Sequence, residues 1–283
     1  MILITGCSSG FGLLTAAHLA SKGHHVIATM RDLKRKTALL ETVREKGGVV
    51  DLFQLDVTDA ISIRTAIRDV AAKYGHIDVL INNAGYGIGG FFEDLTEEEI
   101  RHQFETNFFG VLNVTRAVLL LMRPQRKGKI INISSVAGLS SSPALSAYNA
   151  SKWALEGFTE SLRCELKFFG IDVLLIEPGL YRTRIFYENA RYAKNFLNPD
   201  SPYYPISRFL GKRTRERVER CRKNPQDIAL LVEKLILASR PPFRNIPDPE
   251  SQAVVALRRI LPFGLYSRLL RRAIFRGLDF HKK

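Results

Sequence analysis

Short apolar runs near 1–5, 25–30, 50–55, 78–82, 129–133 and 171–176 alternate with amphipathic segments of helical period. Strand, helix and strand at this spacing predict a parallel sheet with helical crossovers on both of its faces. The runs are apolar almost throughout, as strands covered on both sides must be. The expected fold class is therefore α/β, a doubly wound parallel sheet. With 283 residues, 46% of them apolar and 25% charged, the chain can bury a core of that size, and one elaborated domain over 1–283 is expected.

The regular pattern ends after Pro178-Gly179. Asn198-Pro199-Asp200-Ser201-Pro202 and Pro205 mark an irregular stretch, followed by helical patterns near 212–222 and 226–239. A proline-rich connection from Pro241-Pro242 to Pro247-Asp248-Pro249 leads to a last, basic helix pair. Residues 1–183 are thus expected to form the core, and 184–283 a basic substrate loop with C-terminal helices. The net charge of +14 is not spread evenly: residues 1–183 hold 20 Lys+Arg against 19 Asp+Glu, and residues 184–283 hold 22 against 9. No recognised nucleic-acid reading motif accompanies that charge, so nucleic acid is not an expected partner.

Cys7, Cys164 and Cys221 are odd in number and far apart, fitting neither a disulfide framework nor a zinc site. No histidine stands at ligand spacing with another donor, so no metal is expected. The first residues already read as a strand and no apolar run approaches the length of a membrane span, so the reducing cytoplasm is the expected compartment.

Thr5-Gly6-Cys7-Ser8-Ser9-Gly10-Phe11-Gly12 lies directly after the first strand and opens a helical pattern from Leu13 to Ala20. In that position Gly6 suits a tight turn, Gly10 a close approach of the backbone to a diphosphate, and Gly12 close packing of helix on strand. The helix N-terminus adds unpaired N–H groups and positive dipole. At the end of the second strand, a dinucleotide site offers either a carboxylate to a ribose hydroxyl or an Arg to a 2′-phosphate. Here Met30 stands where the acid would be and Arg31 follows, with Asp32 adjacent. NADP(H) is therefore the expected cofactor and NAD(H) the alternative. Asp56, beside Val57 after the third strand, could accept from an adenine amino group. Asn82-Asn83-Ala84-Gly85 after the fourth strand would let the chain pass close to the adenosine.

Tyr148 and Lys152 lie four residues apart at the start of a helical pattern that continues through Trp153, Leu155, Phe158 and Leu162, so phenol and ammonium share a face. A cation beside a phenol lowers its pKa from about 10, making it a usable acid and base. Ser135, just after the strand ending Asn132-Ile133-Ser134, could hold a substrate oxygen. Asn107 sits in mid-helix, where its propensity does not favour it.

With these motifs in order, residues 1–185 resemble the short-chain dehydrogenase/reductase family, and within it the 17β-hydroxysteroid and retinol dehydrogenase branch. The resemblance implies a Rossmann fold whose catalytic residues are Asn107, Ser135, Tyr148 and Lys152. It makes Tyr148 the general acid/base and Ser135 the group that orients the carbonyl. It also implies that Lys152 binds the nicotinamide ribose and tunes Tyr148, that Asn107 holds a relay water, and that Pro178, Gly179 and Thr183 contact the nicotinamide end. The implied substrate is a lipophilic alcohol or ketone, and the implied assembly a homodimer or homotetramer. Tyr181 departs from the smaller aliphatic residue common at its place.

Residues 184–210 are rich in aromatics, with Ile185 beside Phe186 and Tyr187, then Tyr192, Phe196, Tyr203 and Tyr204, and suit either a lid over an apolar substrate or the packing of an appended subdomain. In Leu265–Gly277 the apolar Leu265, Tyr266, Leu269, Leu270, Ala273 and Ile274 gather on one side, and Arg268, Arg271, Arg272 and Arg276 on the other. Such a helix either lies on an anionic membrane surface or docks on its own core. A cofactor-sensing regulator or a peripheral membrane protein without turnover is the rival function. A serine hydrolase is set aside because no Gly-x-Ser-x-Gly elbow is present.

Overall fold

The computed structural model describes residues 1–183 and 191–278. In chain order the main elements are β1 (Ile2–Ile4), α1 (Gly10–Ser21), β2 (Val26–Met30), α2 (Thr37–Glu45), β3 (Val50–Gln54), α3 (Ala60–Tyr74), β4 (Val79–Asn82), β5 (Ile88–Gly89), α4 (Glu97–Phe104), α5 (Gly110–Gln125), β6 (Gly128–Ile133), α6 (Ser146–Leu166) and β7 (Ile171–Ile176). They continue with β8 (Arg191–Tyr192), α7 (Tyr204–Arg220), α8 (Gln226–Leu237), β9 (Arg244–Asn245), α9 (Pro249–Ile260) and α10 (Phe263–Ile274). The predicted strands thus appear within a few residues of their expected places.

All pairings in the main sheet are parallel, in the order β3-β2-β1-β4-β6-β7-β9. This is the doubly wound Rossmann arrangement, and its strand order reverses between β1 and β4. The central strands are buried on both faces, Leu3, Ile4, Leu80, Ile130 and Leu174 all at 1% exposure or less. One apolar core lies under α1, α2 and α8, and the other under α3, α5 and α6. Residue parity along each strand divides them: Ile131 faces the first core, and Ile130 the second.

A polar chain runs inside the second layer. Asn82 Nδ2 donates to Thr115 Oγ1 (3.0 Å) and to Asn132 Oδ1 (2.8 Å), and Asn132 Nδ2 donates to Thr159 Oγ1 (2.9 Å). Buried amides must be paired, so these contacts fix α5 and α6 against β4 and β6.

Two expectations beyond residue 183 need correction. α7 begins at Tyr204 instead of near 212, because Pro205 sits in its first turn, where its fixed φ and missing N–H suit helix initiation. The proline-rich connection also contains β9, which extends the sheet beside β7, Leu175 opposite Arg244 and Ile176 opposite Asn245. Two residues between prolines carry no readable strand period. Ile185, Phe186 and Tyr187 of the predicted aromatic-rich segment lie outside the described residues.

Candidate active site

The glycine loop is latched to the end of β4. Thr5 Oγ1 accepts from the backbone N–H of Asn83 and of Ala84, each at 3.0 Å, and Asn83 Nδ2 donates to the Thr5 carbonyl (2.9 Å) and the Gly6 carbonyl (3.2 Å). Gly6 has φ +73°, and a Cβ there would lie 2.8 Å from Ala84 Cα. At Gly12 a Cβ would meet Asn83 Nδ2 at 2.4 Å and the Gly6 carbonyl oxygen at 2.5 Å. The close packing expected of Gly12 is thus against its own loop and Asn83. Around Gly10, by contrast, nothing lies within 4 Å of where a Cβ would stand. α1 starts at that point with no acidic residue in its first turn and no side-chain cap from Ser9. Its N-terminal amides face an open cradle shaped for an anion.

A groove of about 560 Å³ runs from that cradle in both directions along the carboxyl ends of the strands. Its middle is lined by Gly6, Ser8, Ser9, Gly10 and Phe11 from one side and Asn83, Ala84 and Gly85 from the other. At one end stand Arg31, Asp32, Arg35, Asp56 and Val57. Arg31 is exposed at the rim, while Asp32 Oδ1 accepts from the Lys34 N–H at 2.9 Å. Asp56 Oδ1 accepts from the Thr58 N–H (3.0 Å) and hydroxyl (2.8 Å). Tyr148, Lys152 and Thr183 line the other end. The groove has room and donors for a dinucleotide along its length, and the residues present fit one.

α6 begins at Ser146, so Tyr148 falls in its first turn and Lys152 one turn further on. Lys152 is buried, its Nζ donating to the Ile133 carbonyl at 2.9 Å and standing 6.0 Å from the centre of the Tyr148 ring. Burial pulls the Lys152 pKa down to about 8, with the Glu156 carboxylate acting in the opposite direction. The Tyr148 pKa is raised: burial outweighs the hydrogen bond with the Ser135 hydroxyl that pulls it down. The lowering expected from the Lys152 cation is therefore not found, since the ammonium is turned to the Ile133 carbonyl and desolvation of the phenolate dominates.

Gly12, Asn107, Pro178 and Gly179 support the groove from behind its wall, and Ser135 stands within hydrogen-bond reach of Tyr148. Ser135 Oγ accepts from the Ala137 N–H (3.1 Å) and donates to the Pro178 carbonyl (3.4 Å). Asn107 stands in a π-helical turn, Glu105–Phe109, the local widening that explains its unfavoured mid-helix place. Its side chain holds Tyr86 in both directions, Oδ1 accepting from the Tyr86 N–H (3.0 Å) and Nδ2 donating to the Tyr86 carbonyl (2.9 Å), and it also reaches Ser151 Oγ (3.2 Å). Gly179 serves the C-terminal extension: a Cβ there would meet Ser251 Oγ at 2.0 Å, and its N–H donates to Asp248 Oδ2 at 3.3 Å.

Other residues of the site carried no sequence signal. Tyr86, His102 and Thr106 line the groove, as does Arg191, whose guanidinium lies 4.6 Å from the Tyr86 ring centre. Arg191 arrives through the pairing of β8 with β5, which no local pattern announces. Tyr181 packs edge-on against Phe11 of the glycine loop, ring centres 5.5 Å apart. Phe196 is buried in a satellite core with Ile88 and Leu95, and Tyr203 stacks on Phe91 at 4.4 Å, so these aromatics pack an appended layer. α10 docks through Tyr266, which is buried and hydrogen-bonded to Ser140 in the loop after Ser135.

Among the described residues no cluster of His, Cys, Asp or Glu is placed to hold a metal ion, and no helix is long and apolar enough to cross a membrane.

A model of the family described as short chain dehydrogenase matches residues 1–193. The chain is 41% identical over 256 residues to a 3-ketodihydrosphingosine reductase of Bacteroides thetaiotaomicron, covering 90% of each protein. It is 37% identical to retinol dehydrogenase 8 of Bos taurus, covering 97% of this chain and 90% of that one. Among solved structures, a short-chain dehydrogenase/reductase of Burkholderia phymatum in complex with NAD superposes with a TM-score of 0.79 at 27% identity, over 91% of this chain and 92% of that one.

Gly12→Ala would press a methyl group on a backbone carbonyl that cannot turn away without opening the Thr5–Asn83 latch. Its dissociation constant for NADPH, followed by cofactor fluorescence, is expected to rise on the order of tenfold or more.

Proposed function

The chain belongs to the short-chain dehydrogenase/reductase family, as an oxidoreductase of alcohols and carbonyls that depends on NAD(P), and from that premise we propose that Tyr148 is its general acid/base toward a lipophilic substrate. The observation that carries this reading is the single groove joining the Gly10 cradle to Tyr148 and Lys152. The dinucleotide, when bound, supplies or accepts the hydride. In carbonyl reduction Tyr148 Oη gives its proton to the substrate oxygen, which Ser135 Oγ helps to hold; in alcohol oxidation the same oxygen takes the proton back. Lys152 would hold the ribose hydroxyls beside Tyr148. Asn107, through Tyr86, fixes the wall opposite and is the anchor for the proton relay to Lys152.

Ser8, Ser9, Gly10 and Phe11 bind the diphosphate at the N-terminus of α1, with Gly6, Gly12 and Asn83 holding the loop in shape. Asp56 and Val57 would take the adenine, Ala84 and Gly85 the adenosine ribose side, and Thr183 the nicotinamide end, with Pro178 and Gly179 shaping the wall behind it. NADP(H) is preferred because Arg31 is exposed at the rim while the neighbouring Asp32 carboxylate caps a turn; NAD(H) is the alternative. Relatives named for 3-ketodihydrosphingosine and for retinol support a lipophilic alcohol or ketone, worked on by one domain over 1–283 whose described residues from 191 onward bring Arg191 to the groove.

A second reading concerns place. Leu257, Ile260, Phe263, Leu265 and Leu269 are exposed along α9 and α10, beside exposed Arg259, Arg268, Arg271 and Arg272. This edge suits peripheral contact with the anionic cytoplasmic face of a membrane, from which a lipophilic substrate would come. Exposed Leu120 on α5 and Trp153 on α6 support pairing of two copies into a homodimer or homotetramer.

Tyr148→Phe is expected to lose turnover by on the order of 10²-fold or more while NADPH binding survives; unchanged turnover with a panel of steroid, retinoid and long-chain ketones refutes the assignment. Arg31→Ala should lower the ratio of kcat/KM for NADPH to that for NADH by roughly tenfold to a hundredfold, the worth of a charge-assisted hydrogen bond. Sedimentation with phosphatidylglycerol vesicles should pull down the protein, phosphatidylcholine vesicles should not, and Ile260→Ser with Phe263→Ser should abolish the difference.

A further inference from the structure

Lys152 has a charged neighbour that the reaction itself does not call for. Glu156, one turn further along α6, is 4% exposed and lies off the groove. The turn after Ser135 packs over this part of the helix so closely that a Cβ on Gly138 would stand 2.8 Å from Glu156 Cγ and 2.9 Å from the Lys152 carbonyl oxygen. From the other side comes Arg244, set in place by the β9–β7 pairing. Its Nη1 forms an ion pair with Glu156 and reaches Glu177 Oε1 at 3.2 Å, while Nη2 reaches the exposed Glu160 at 3.1 Å. Glu177, fully buried at the end of β7, also accepts from the Asn245 N–H at 2.7 Å.

A buried ammonium with one carbonyl partner tends to shed its proton, because desolvation penalises the charged form. Lys152 is in that position, with the Ile133 carbonyl as its hydrogen-bond acceptor. We propose that Glu156, one turn from Lys152 on the buried side of α6 and paired with Arg244 rather than with the ammonium itself, is the buried negative charge that keeps Lys152 cationic, a positioning residue for the catalytic charge. This rests on the reading of Lys152 as part of the active site.

The surrounding charges agree. Lys152 faces Tyr148 and Glu156 on its own helix and a carbonyl on β6; Glu156 is the charged group that raises its pKa against burial. Glu156 in turn faces Lys152, the Ser134 hydroxyl, Arg244 and Glu177. Burial pushes its pKa up, and Ser134, Arg244 and Lys152 pull it back. Glu177 is pushed up to about 7 by burial and by repulsion from Glu156. Of the two carboxylates sharing one guanidinium, Glu156 is the one that lies between two cations. The C-terminal extension thereby reaches the reacting group through Arg244.

Competitive acetylation of Lys152 by trace acetic anhydride, read by mass spectrometry on the cofactor-free protein across pH, gives its titration directly. The midpoint should lie near 8 in the natural protein and about one pH unit lower in Glu156→Gln, the typical effect of removing an opposite charge nearby. Glu156→Asp, which keeps the charge, should restore it. The basic limb of kcat/KM should move with the midpoint, since the cation is lost as pH rises through its pKa. Should Glu156→Gln not fold, the double variant Glu156→Gln with Arg244→Gln is expected to move the midpoint in the same direction, because the α6 carboxylate is one turn from Lys152 and the guanidinium meets it from the other side. An unmoved midpoint in either folded variant overturns the proposal. Labelling needs no turnover, so that result leaves the role of Tyr148 standing, and full activity in Tyr148→Phe would leave the labelling test intact.

Discussion

A buried ammonium bonded to the last carbonyl of β6 is the contact on which the rest of the site depends. Lys152 Nζ on the Ile133 carbonyl brings the first turn of α6 to the carboxyl edge of the sheet, next to the point where the strand order reverses and a crevice opens. One residue earlier, Asn132 ties the same strand to Thr159 on α6 and to Asn82 on β4. Helix and strand are therefore locked together twice within two residues, once by a charge and once by an amide. A side chain on a rigid helix so fixed can hold a proton donor to within the tolerance that proton transfer needs.

The second fixed point is the Thr5–Asn83 latch. Thr5 is fully buried at the end of β1, and its hydroxyl takes two backbone amides of the neighbouring strand's loop. That arrangement explains why glycine is needed at 6 and 12, where backbone and amide groups crowd, and why the crowding stops at 10. The loop is crowded where it meets protein and open to approach where it would meet an anion.

The sheet, the loop and the Tyr148–Lys152 pair are legible in the sequence because each depends on a local period: apolar strands of five or so residues, glycines at a tight turn, four residues to a helical turn. What is not legible arrives through long-range pairing. Arg244 lies in a two-residue strand between prolines, and Arg191 is brought to the groove by a two-residue bridge to β5. Neither segment is long enough to show a period of two. The π-turn at Asn107 was visible only as an asparagine in a poor place, because a single inserted residue in a helix leaves no other mark on the sequence. The rise in the Tyr148 pKa likewise depends on how deeply the phenol sits, which spacing alone cannot supply.

The basic C-terminal hundred residues divide into charges that face water and charges that do not. Arg259, Arg268, Arg271 and Arg272 are exposed, whereas Arg244 is half-buried, its guanidinium turned to the buried Glu156 and Glu177 and, at its outer end, to the exposed Glu160. A buried ion cluster of that kind is a poor source of stability, since desolvation consumes most of the attraction, and an apolar replacement of equal volume would fold as well. What an apolar core cannot do is set a charge at Lys152. The same reasoning makes the extension integral to the catalytic core: without β9 there is no Arg244, and Glu156 and Glu177 would be two buried carboxylates with no guanidinium between them. Burial would then neutralise them, and the ammonium beside the phenol would lose the opposite charge that holds it.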